Sequence, residues 1–226
     1  MLVRLESRQP HDPPASAVSL EAEEVRQFYL GFSNEVIWPL FHDLPSLCNF
    51  DPAYWRAYQQ VNRRFAKAAA ASAGSGDFIW VHDYHLMGMA AELRKRATAA
   101  RVGFFLHIPF PSPDIFSKLP WRKSVLEALL HFDLVGFQTR RDRANFLACV
   151  QALMPQAQVD SRGALATVRS AAGKSRVGAF PISIDYNAFL RASATPASSR
   201  SPRSARVRSH APPPPMSAPD AMAASA

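Results

Sequence analysis

The apolar residues of this chain change their spacing near residue 77, from a helical repeat to short continuous runs. Residues 78–82 and 102–108 are two such runs, rich in β-branched and aromatic side chains, and they bracket a stretch of helical spacing at about residues 85–99. Short apolar runs of this composition are typical of buried strands. A strand, a helix and a second strand in this order predict a βαβ unit with two parallel strands.

The same alternation continues further along the chain. Helical spacing returns at residues 122–131 and 141–153, and short apolar runs return at residues 133–137 and 176–184. The order after residue 77 is therefore β-α-β-α-β-α-β. It predicts an α/β fold built on a Rossmann-like, doubly wound parallel sheet.

Before residue 72 the pattern predicts helices. Ser19 is the expected N-cap of the first one, because acidic residues follow in its first turns. Gly31 and Pro39 are expected to divide this region into two shorter helices. A further helix at about residues 52–71 places its larger side chains on nearly one face: Trp55, Tyr58, Val61, Asn62 and Phe65.

Composition separates the two ends of the chain from its centre. Residues 1–18 are polar, contain Pro and show no period, and residues 191–226 consist largely of Ala, Ser, Pro and Arg. Such segments bury too little apolar surface to offset the entropy that is lost on ordering. We therefore predict a disordered lead at residues 1–18, one domain at residues 19–190 and a disordered tail at residues 191–226.

The net charge of +8 raises the question of a nucleic-acid partner. Half of that excess lies in the tail, however, and no basic helix or RNA-binding aromatic motif accompanies it, so we expect no nucleic acid to be bound. The chain has no apolar run of about 18 residues and no apolar leader segment, which predicts a cytoplasmic protein without a membrane partner. Cys48 and Cys149 are expected to be buried and reduced.

Four chemically active side chains stand where the first two predicted strands end. His82, Asp83 and His85 follow the first run, and His107 lies near the end of the second. Ligands of open α/β sheets bind beyond the carboxyl ends of the strands, so a site is expected here. A metal site is disfavoured because the spacing matches no known ligand motif. His82 and His85 are interpreted as hydrogen-bonding caps of the strand end, and Asp83 and His107 as ligand-binding groups.

A group of aromatic residues near the N-terminus has two interpretations. Tyr29, Phe32, Trp38 and Phe41 stand at roughly helical spacing, which most often marks the face of a helix that packs into a core. Aromatic rings also stack on the apolar faces of hexoses. The spacing alone does not choose between a core and a sugar-binding surface.

Five segments, in unbroken order, carry a resemblance that covers about residues 19–190. They are YLGFSNEVIWPLFH, YWRAYQQVNRRFA, FIWVHDYHLM, RVGFFLHIPFPSPDIFSKLPWR and DLVGFQTRRDRANFL. These segments resemble trehalose-6-phosphate synthases, retaining glycosyltransferases of the two-domain GT-B fold that transfer glucose from UDP-glucose to glucose 6-phosphate. A looser relative, a glucosylglycerol-phosphate synthase, shares parts of these motifs. The resemblance implies that the chain is the N-terminal, acceptor-side domain of such an enzyme and that it uses no cofactor.

The resemblance also implies roles for individual residues. Tyr29 corresponds to a tyrosine that contacts the phosphate of glucose 6-phosphate, and Trp38 to a tryptophan beside the acceptor sugar. Asp83 corresponds to an aspartate that accepts hydrogen bonds from acceptor hydroxyls. His107 corresponds to a histidine between the two sugars, with Ile108 beside it. The expected catalytic residues are thus Asp83 and His107, and Arg and Lys side chains rather than a metal neutralise the leaving group.

Parts of the family pattern have no counterpart in this sequence. No glycine-rich loop precedes residue 19, no UDP-glucose-binding domain follows Asn187, and Ser183 stands where the family usually has Gly. UDP-glucose is therefore an expected partner only if the missing domain is supplied, and little or no transferase activity is expected of the chain alone. The alternative function is that of a non-catalytic sugar-phosphate-binding remnant. The abrupt change of composition past Phe189 favours a frameshift or a truncated reading frame, and a half-domain is expected to expose apolar surface.

Overall fold

The structure, a computed structural model, describes residues 2–3, 5–6, 16–96, 99–183, 186–187 and 190–191. Its strands are β1 (Leu2–Val3), β2 (Leu5–Glu6), β3 (Ser16–Ala17), β4 (Phe78–His82), β5 (Arg101–Leu106), β6 (Leu134–Phe137), β7 (Gln158–Asp160), β8 (Ala166–Ser170) and β9 (Gly173–Ala179). Its α-helices are α1 (Ala22–Glu24), α2 (Trp38–Phe41), α3 (Pro52–Ser72), α4 (Met89–Lys95), α5 (Pro113–Phe116), α6 (Arg122–Leu129) and α7 (Arg140–Leu153). A π-helical stretch covers Val25–Ile37, and 3-10 turns cover Pro45–Leu47 and Tyr84–Leu86.

The main sheet is mixed, with a parallel centre. Strands β4, β5, β6 and β9 are parallel neighbours in that order. Strand β2 extends the sheet antiparallel to β4, and β8 and β7 extend it antiparallel beyond β9, while β1 pairs with β3 in a separate ribbon. A sheet with a parallel centre joined by helices confirms the predicted α/β fold. Its central described strands follow chain order, β4-β5-β6-β9, so the reversal of strand order that marks a doubly wound sheet does not lie among them.

One face of the parallel strands forms the core. Ile79 and Val81 on β4, Val102 and Phe104 on β5, and Val135 on β6 are all at most 2% exposed. The parallel strands follow one another in chain order, and right-handed crossovers in a constant direction place their connecting helices on the same face. Each large apolar side chain buried between sheet and helices contributes about 1.5–3 kcal/mol to stability. Burial in this layer therefore stabilises the sheet.

The opposite side of the parallel strands, which we call the open face, is lined by Phe78, Trp80, Phe105 and Phe180 together with the glycines between them. The Phe78 ring covers Gly103, where a Cβ would lie 2.5 Å from the Phe78 Cζ atom. Trp80 and Phe180 each remain 41% exposed. They border a groove of about 550 Å³ that the described part of the chain leaves unfilled.

The predicted break of the first helical region at Gly31 and Pro39 is wrong, because helical structure runs from Ala22 to Phe41. The Trp38 amide donates to the carbonyl of Ser33, five residues back, so the segment continues as a π-helix up to the proline. Gly31 serves close packing instead of termination, since a Cβ there would lie 2.6 Å from the ring of Tyr54.

The predicted N-cap Ser19 is also wrong. The helical region begins after Glu21, whose side chain and backbone exchange hydrogen bonds with Glu24 in a capping box. The Ser19 carbonyl accepts a hydrogen bond of 2.6 Å from Arg64 on α3. Ser19 therefore anchors the approach to the helix instead of capping it.

The region between α7 and β9 differs from its prediction. A hairpin of short strands, β7 and β8, lies where no element was predicted, and β9 is Gly173–Ala179 in place of residues 176–184. Gly173 has a φ of +116°, which lets the chain turn directly from β8 into β9. Buried and more exposed residues alternate along Ala166–Ser170. The matching alternation of apolar and polar residues in the sequence is a strand signal that the prediction did not use. The helix predicted at residues 85–99 is shorter, with its α-helical part at Met89–Lys95.

Several predictions concern thiols, membrane segments and chain ends. Cys48 is partly buried, Cys149 is buried, and both are free thiols. Among the described residues, no helix has both the length and the apolar character that crossing a membrane requires. The chain divides into one compact unit up to Ile182 and another from Ser183 onward. Most of the predicted disordered lead and tail lies outside the described residues, and within the lead the short strands β1, β2 and β3 are assigned.

Candidate functional site

Two parallel strands bring the predicted site residues His107 and Asp83 together. Strand β4 ends at His82 and is followed by Asp83, and its neighbour β5 ends one residue before His107. The His82 Nδ1 and His107 Nε2 atoms are 2.9 Å apart, and the two rings stack with centroids separated by 5.2 Å. The His107 amide donates to Asp83 Oδ1 over 3.4 Å. The carboxyl edge of the sheet thus presents a carboxylate and an imidazole side by side, as expected.

Asp83 adopts a backbone conformation that is nearly confined to glycine. Its φ is +66° and its ψ is 170°, which costs on the order of 1–3 kcal/mol for a residue with a side chain. The Asp83 amide donates to Phe105 O over 2.8 Å, and Oδ1 also accepts from the Tyr84 amide over 3.0 Å. A conformation of this cost persists where surrounding contacts impose it, and such residues cluster at ligand-binding sites.

His85 does not cap the strand end through its side chain, and that prediction is wrong. Its ring lies between those of Tyr29 and Tyr84, at centroid distances of 5.4 and 4.1 Å. Within the described residues its buried Nε2 atom has no hydrogen-bond partner. Burial lowers the pKa of His85, and the nearby Asp83 carboxylate opposes that shift only in part. His85 is therefore a neutral ring in an aromatic stack. His82, by contrast, does make its predicted hydrogen bond, to His107.

The aromatic group near the N-terminus divides between the two interpretations left open above. Phe32 and Phe41 are at most 1% exposed and belong to the core, whereas Tyr29 and Trp38 are 44% and 42% exposed. Trp38 stacks on His42 at a centroid distance of 4.2 Å. Two of the four aromatic residues are therefore available to a ligand, and they are the two that the resemblance singles out.

The structure connects Tyr29 to the strand-end residues through aromatic contacts. The Tyr29 ring stacks on His85, His85 stacks on Tyr84, and Tyr84 directly follows Asp83. The Tyr84 hydroxyl donates to Asn34 Oδ1 over 3.2 Å, which ties the same turn to the π-helical stretch. The described contacts of Trp38 lie with His42, so its place beside the sugar stays a prediction. Ile108 is half-buried and packs against the core.

Hydrogen bonds from α7 hold the proline-rich loop that follows His107. Asp142 Oδ1 accepts from the Phe110 amide over 3.1 Å, and Asn145 Nδ2 donates to the Phe110 carbonyl over 2.8 Å. The Phe110 ring itself is 1% exposed. Sequence reasoning missed Asp142 and Asn145, since only their position on a helix was evident. They fix the loop that begins at the His107 imidazole.

Metal binding at the strand ends lacks a ligand set in the structure. In the portions of the chain that are described, no group of three or more His, Cys, Asp or Glu side chains converges. The two histidines that do meet, His82 and His107, share one hydrogen bond. We assign no residue to a metal or cofactor.

Comparison with known proteins identifies relatives across most of the chain. The family described as glycosyltransferase family 20 matches residues 4–210. A bifunctional trehalose-6-phosphate synthase/phosphatase from Thermoproteus tenax is 45% identical over 181 residues, covering 79% of this chain and 24% of that protein. A trehalose-6-phosphate synthase from Citrobacter koseri is 42% identical over 182 residues, covering 80% of this chain and 37% of that protein.

Solved structures agree with these relatives. An Escherichia coli structure bound with UDP-2-fluoro glucose is 40% identical with a TM-score of 0.71, covering 78% of this chain and 38% of that one. An α,α-trehalose-phosphate synthase (UDP-forming) from Burkholderia xenovorans, in complex with glucose-6-phosphate, is 34% identical with a TM-score of 0.72, covering 80% and 39%. These neighbours are GT-B glycosyltransferases, which confirms the predicted fold class.

The chain spans only part of the length of its relatives, from 24% of the Thermoproteus protein to 37% of the Citrobacter protein. Within that part, the family match takes in β4, β5 and the strand-end residues Asp83 and His107. The strand-end geometry, the two exposed aromatic residues and the family match therefore all point the same way. This chain belongs to glycosyltransferase family 20.

Proposed function

We propose that this chain provides the acceptor side of a UDP-forming trehalose-6-phosphate synthase and binds glucose 6-phosphate at the carboxyl ends of β4 and β5. The observation that carries the proposal is the contact between Asp83 and His107, which adjoins the stacked pair Tyr29 and His85. A relative at 34% identity is described as an α,α-trehalose-phosphate synthase in complex with glucose-6-phosphate. The proposal follows from that likeness together with the geometry of the strand ends.

In this proposal each site residue has a separate task. Asp83 accepts hydrogen bonds from sugar hydroxyls through Oδ2, which has no hydrogen-bond partner in the described residues. The exposed His107 imidazole lies between acceptor and donor sugars, with Ile108 beside it. Tyr29 contacts the phosphate, and Trp38 packs against the acceptor ring. Holding both sugars in attack geometry and stabilising the developing charge are the main catalytic contributions expected of such a site.

Transfer requires the donor, UDP-glucose, and relatives that carry out the complete reaction are longer than this chain. We therefore assign acceptor binding to the chain itself and expect glucosyl transfer only when a donor-binding domain is supplied. A second candidate function is a non-catalytic sugar-phosphate-binding module, which would use the same exposed Tyr29 and Trp38 and the same strand-end residues. A UDP-release assay on the purified chain separates them, because acceptor-dependent release supports the transferase and its absence supports the binding module.

Acceptor binding is tested by calorimetric titration of the chain with glucose 6-phosphate. Replacing Asp83 with Ala removes a charged hydrogen-bond acceptor, so we expect the affinity to fall by about tenfold or more. Asp43→Ala is the matched control, since Asp43 also has a positive φ, of 60°, and lies in the turn after α2. Glucose 6-phosphate binding that is absent from the folded chain, or equally weakened in both variants, contradicts the proposal.

We further infer a cytoplasmic location. Both cysteines are free, and Cys149 is buried in the core. Burial raises the pKa of the Cys149 thiol to about 12, so it stays protonated and unreactive. Unpaired cysteines are typical of reducing compartments. Localisation of a tagged chain by cell fractionation tests this inference.

A further inference from the structure

The turn from Asp83 to Gly88 is held by a helix that is distant in sequence. Tyr58 lies on α3, is 2% exposed, and reaches the turn through its hydroxyl group. That hydroxyl donates to the Tyr84 carbonyl over 2.8 Å and accepts from the Met87 amide over 2.9 Å. Burial raises the pKa of Tyr58, so the hydroxyl keeps the proton that it donates. A single phenol group therefore fixes the turn at two points, Tyr84 and Met87.

Asn62, one helical turn further along α3, completes the attachment. Its Nδ2 atom donates to the His85 carbonyl over 3.2 Å and to the Tyr58 carbonyl over 2.9 Å. Its Oδ1 atom accepts from the Gly88 amide over 3.0 Å. Gly88 permits this approach, because a Cβ there would lie 3.2 Å from Asn62 Oδ1. Asn62 is 1% exposed, so its polar side-chain atoms are buried, and both of them form hydrogen bonds there.

These hydrogen bonds hold the backbone that directly follows Asp83, the residue with the strained φ. Tyr58 and Asn62 bind polar backbone groups of Tyr84, His85, Met87 and Gly88, whereas Asp83 itself is constrained by Phe105 and His107 of the neighbouring strand and loop. A fully satisfied buried network is rigid, since breaking any one bond strands a polar group. Asp83 thus cannot relax to a negative φ without breaking several of these hydrogen bonds at the same time.

We propose that Tyr58 and Asn62 are positioning residues that hold Asp83 in the conformation in which it binds the sugar. The proposal rests on the proposed function of Asp83. Neither residue touches the expected ligand site, and both act through the turn at residues 84–88. The aromatic packing of Tyr58 against Phe32, at a centroid distance of 4.3 Å, fixes the ring that carries the hydroxyl.

Tyr58→Phe removes only the hydroxyl and keeps the packed ring. Tyr54→Phe is the matched control, because Tyr54 is one turn earlier on α3 and its hydroxyl bonds to Glu35 instead of the turn. We expect Tyr58→Phe to speed amide hydrogen exchange at residues 84–88 while α3 keeps its protection. We also expect it to weaken glucose 6-phosphate binding by about tenfold or more. Tyr54→Phe should change neither quantity.

A double-mutant cycle with Asp83→Asn shows whether Tyr58 acts through Asp83. If it does, Tyr58→Phe costs less affinity in the Asp83→Asn background than in the natural chain. Equal losses in both backgrounds, or faster exchange throughout α3, overturn the proposal by making Tyr58 a general core residue. Should Tyr58→Phe fail to fold, Asn62→Ala removes the bonds to His85 and Gly88 and is measured in its place.

The two proposals fail in different ways. If the natural chain does not bind glucose 6-phosphate, the proposed function fails, and the exchange rates at residues 84–88 still decide whether α3 restrains the turn. If the chain binds but Tyr58→Phe binds equally well, the proposed function stands and the positioning role is refuted.

Discussion

At the scale of single residues, two histidines have lowered pKa values, and one of them, His85, lies at the candidate site. His85 is packed between two tyrosine rings and its pKa is lowered, primarily by burial. His131, near the start of β6, also has a lowered pKa because of burial and of the positive charges on Arg94 and Lys95. Both histidines are therefore neutral in the fold at a pH where the unfolded chain has already begun to bind protons.

This difference predicts a pH dependence of stability. Because the folded-state pKa values of His85 and His131 lie below the unfolded value of about 6.5, the unfolded chain binds more protons as the pH falls. The stability that depends on keeping His85 and His131 neutral is fully present above the unfolded pKa of about 6.5. It is lost as the pH drops toward the folded-state pKa values. We expect the free energy of unfolding, from urea titrations between pH 7.5 and 5, to decrease on acidification.

His85→Phe keeps a flat ring and cannot bind a proton, so its stability should decrease less over the same range. The double variant His85→Phe/His131→Phe should show the smallest decrease. A pH dependence that is unchanged in both variants would assign the acid sensitivity to the carboxylates instead.

At the scale of elements, the sequence predicted what periodicity controls and missed what a long-range contact controls. The one-sided apolar pattern of α3 placed this helix within one residue, and its predicted face is buried except for the partly buried Trp55. Gly31 indicated a helix end by its type, but its true role is set by the Tyr54 ring, which the local pattern does not contain. The proximity of Asp83 and His107 could be predicted because the ends of neighbouring parallel strands lie together, whereas Tyr58 and Asn62 looked like ordinary core positions.

The hydrogen bonds between α7 and the proline-rich loop can be tested by mutation. Asp142 is 6% exposed, and its carboxylate accepts from both the Phe110 amide and the Thr139 hydroxyl. Asp142→Ala leaves the Phe110 amide unpaired, which should cost about 1–3 kcal/mol of unfolding free energy. Proteolytic cleavage within residues 107–113 should also become faster.

The matched change for that experiment is Asp114→Ala, at an exposed position in the first turn of α5. It should leave the unfolding free energy within about 0.5 kcal/mol of the natural value. If Asp142→Ala were equally mild, the loop would owe its rigidity to its prolines and to the packing of Phe110 alone.

At the scale of the whole molecule, the dominant feature is the open face. Parallel sheets are normally covered on both sides, yet Trp80 and Phe180 remain 41% exposed. Contiguous apolar surface of this kind binds other apolar surfaces. Among the described residues, this apolar exposure is located on one side of β4, β5, β6 and β9.

Binding of the dye ANS should report this surface. Phe180→Glu places a charge on the open face, so we expect weaker dye fluorescence and a higher solubility limit than for the natural chain. Leu47→Glu is the control, because Leu47 is 64% exposed but does not line the open face. Equal effects of the two changes would show that exposure in general, and not the open face, governs dye binding.

The open face also gives the chain the character of an amphiphile. The aromatic surface lies on one side of the sheet, and the charged residues Arg101 and Arg176 stand in the first residue pairs of the parallel ladders, so apolar and charged surface are separated as in a detergent molecule. Such a molecule should collect at air–water and plastic–water boundaries and lower the surface tension of dilute solutions. Losses to vessel walls would then depend on container area more than on protein concentration.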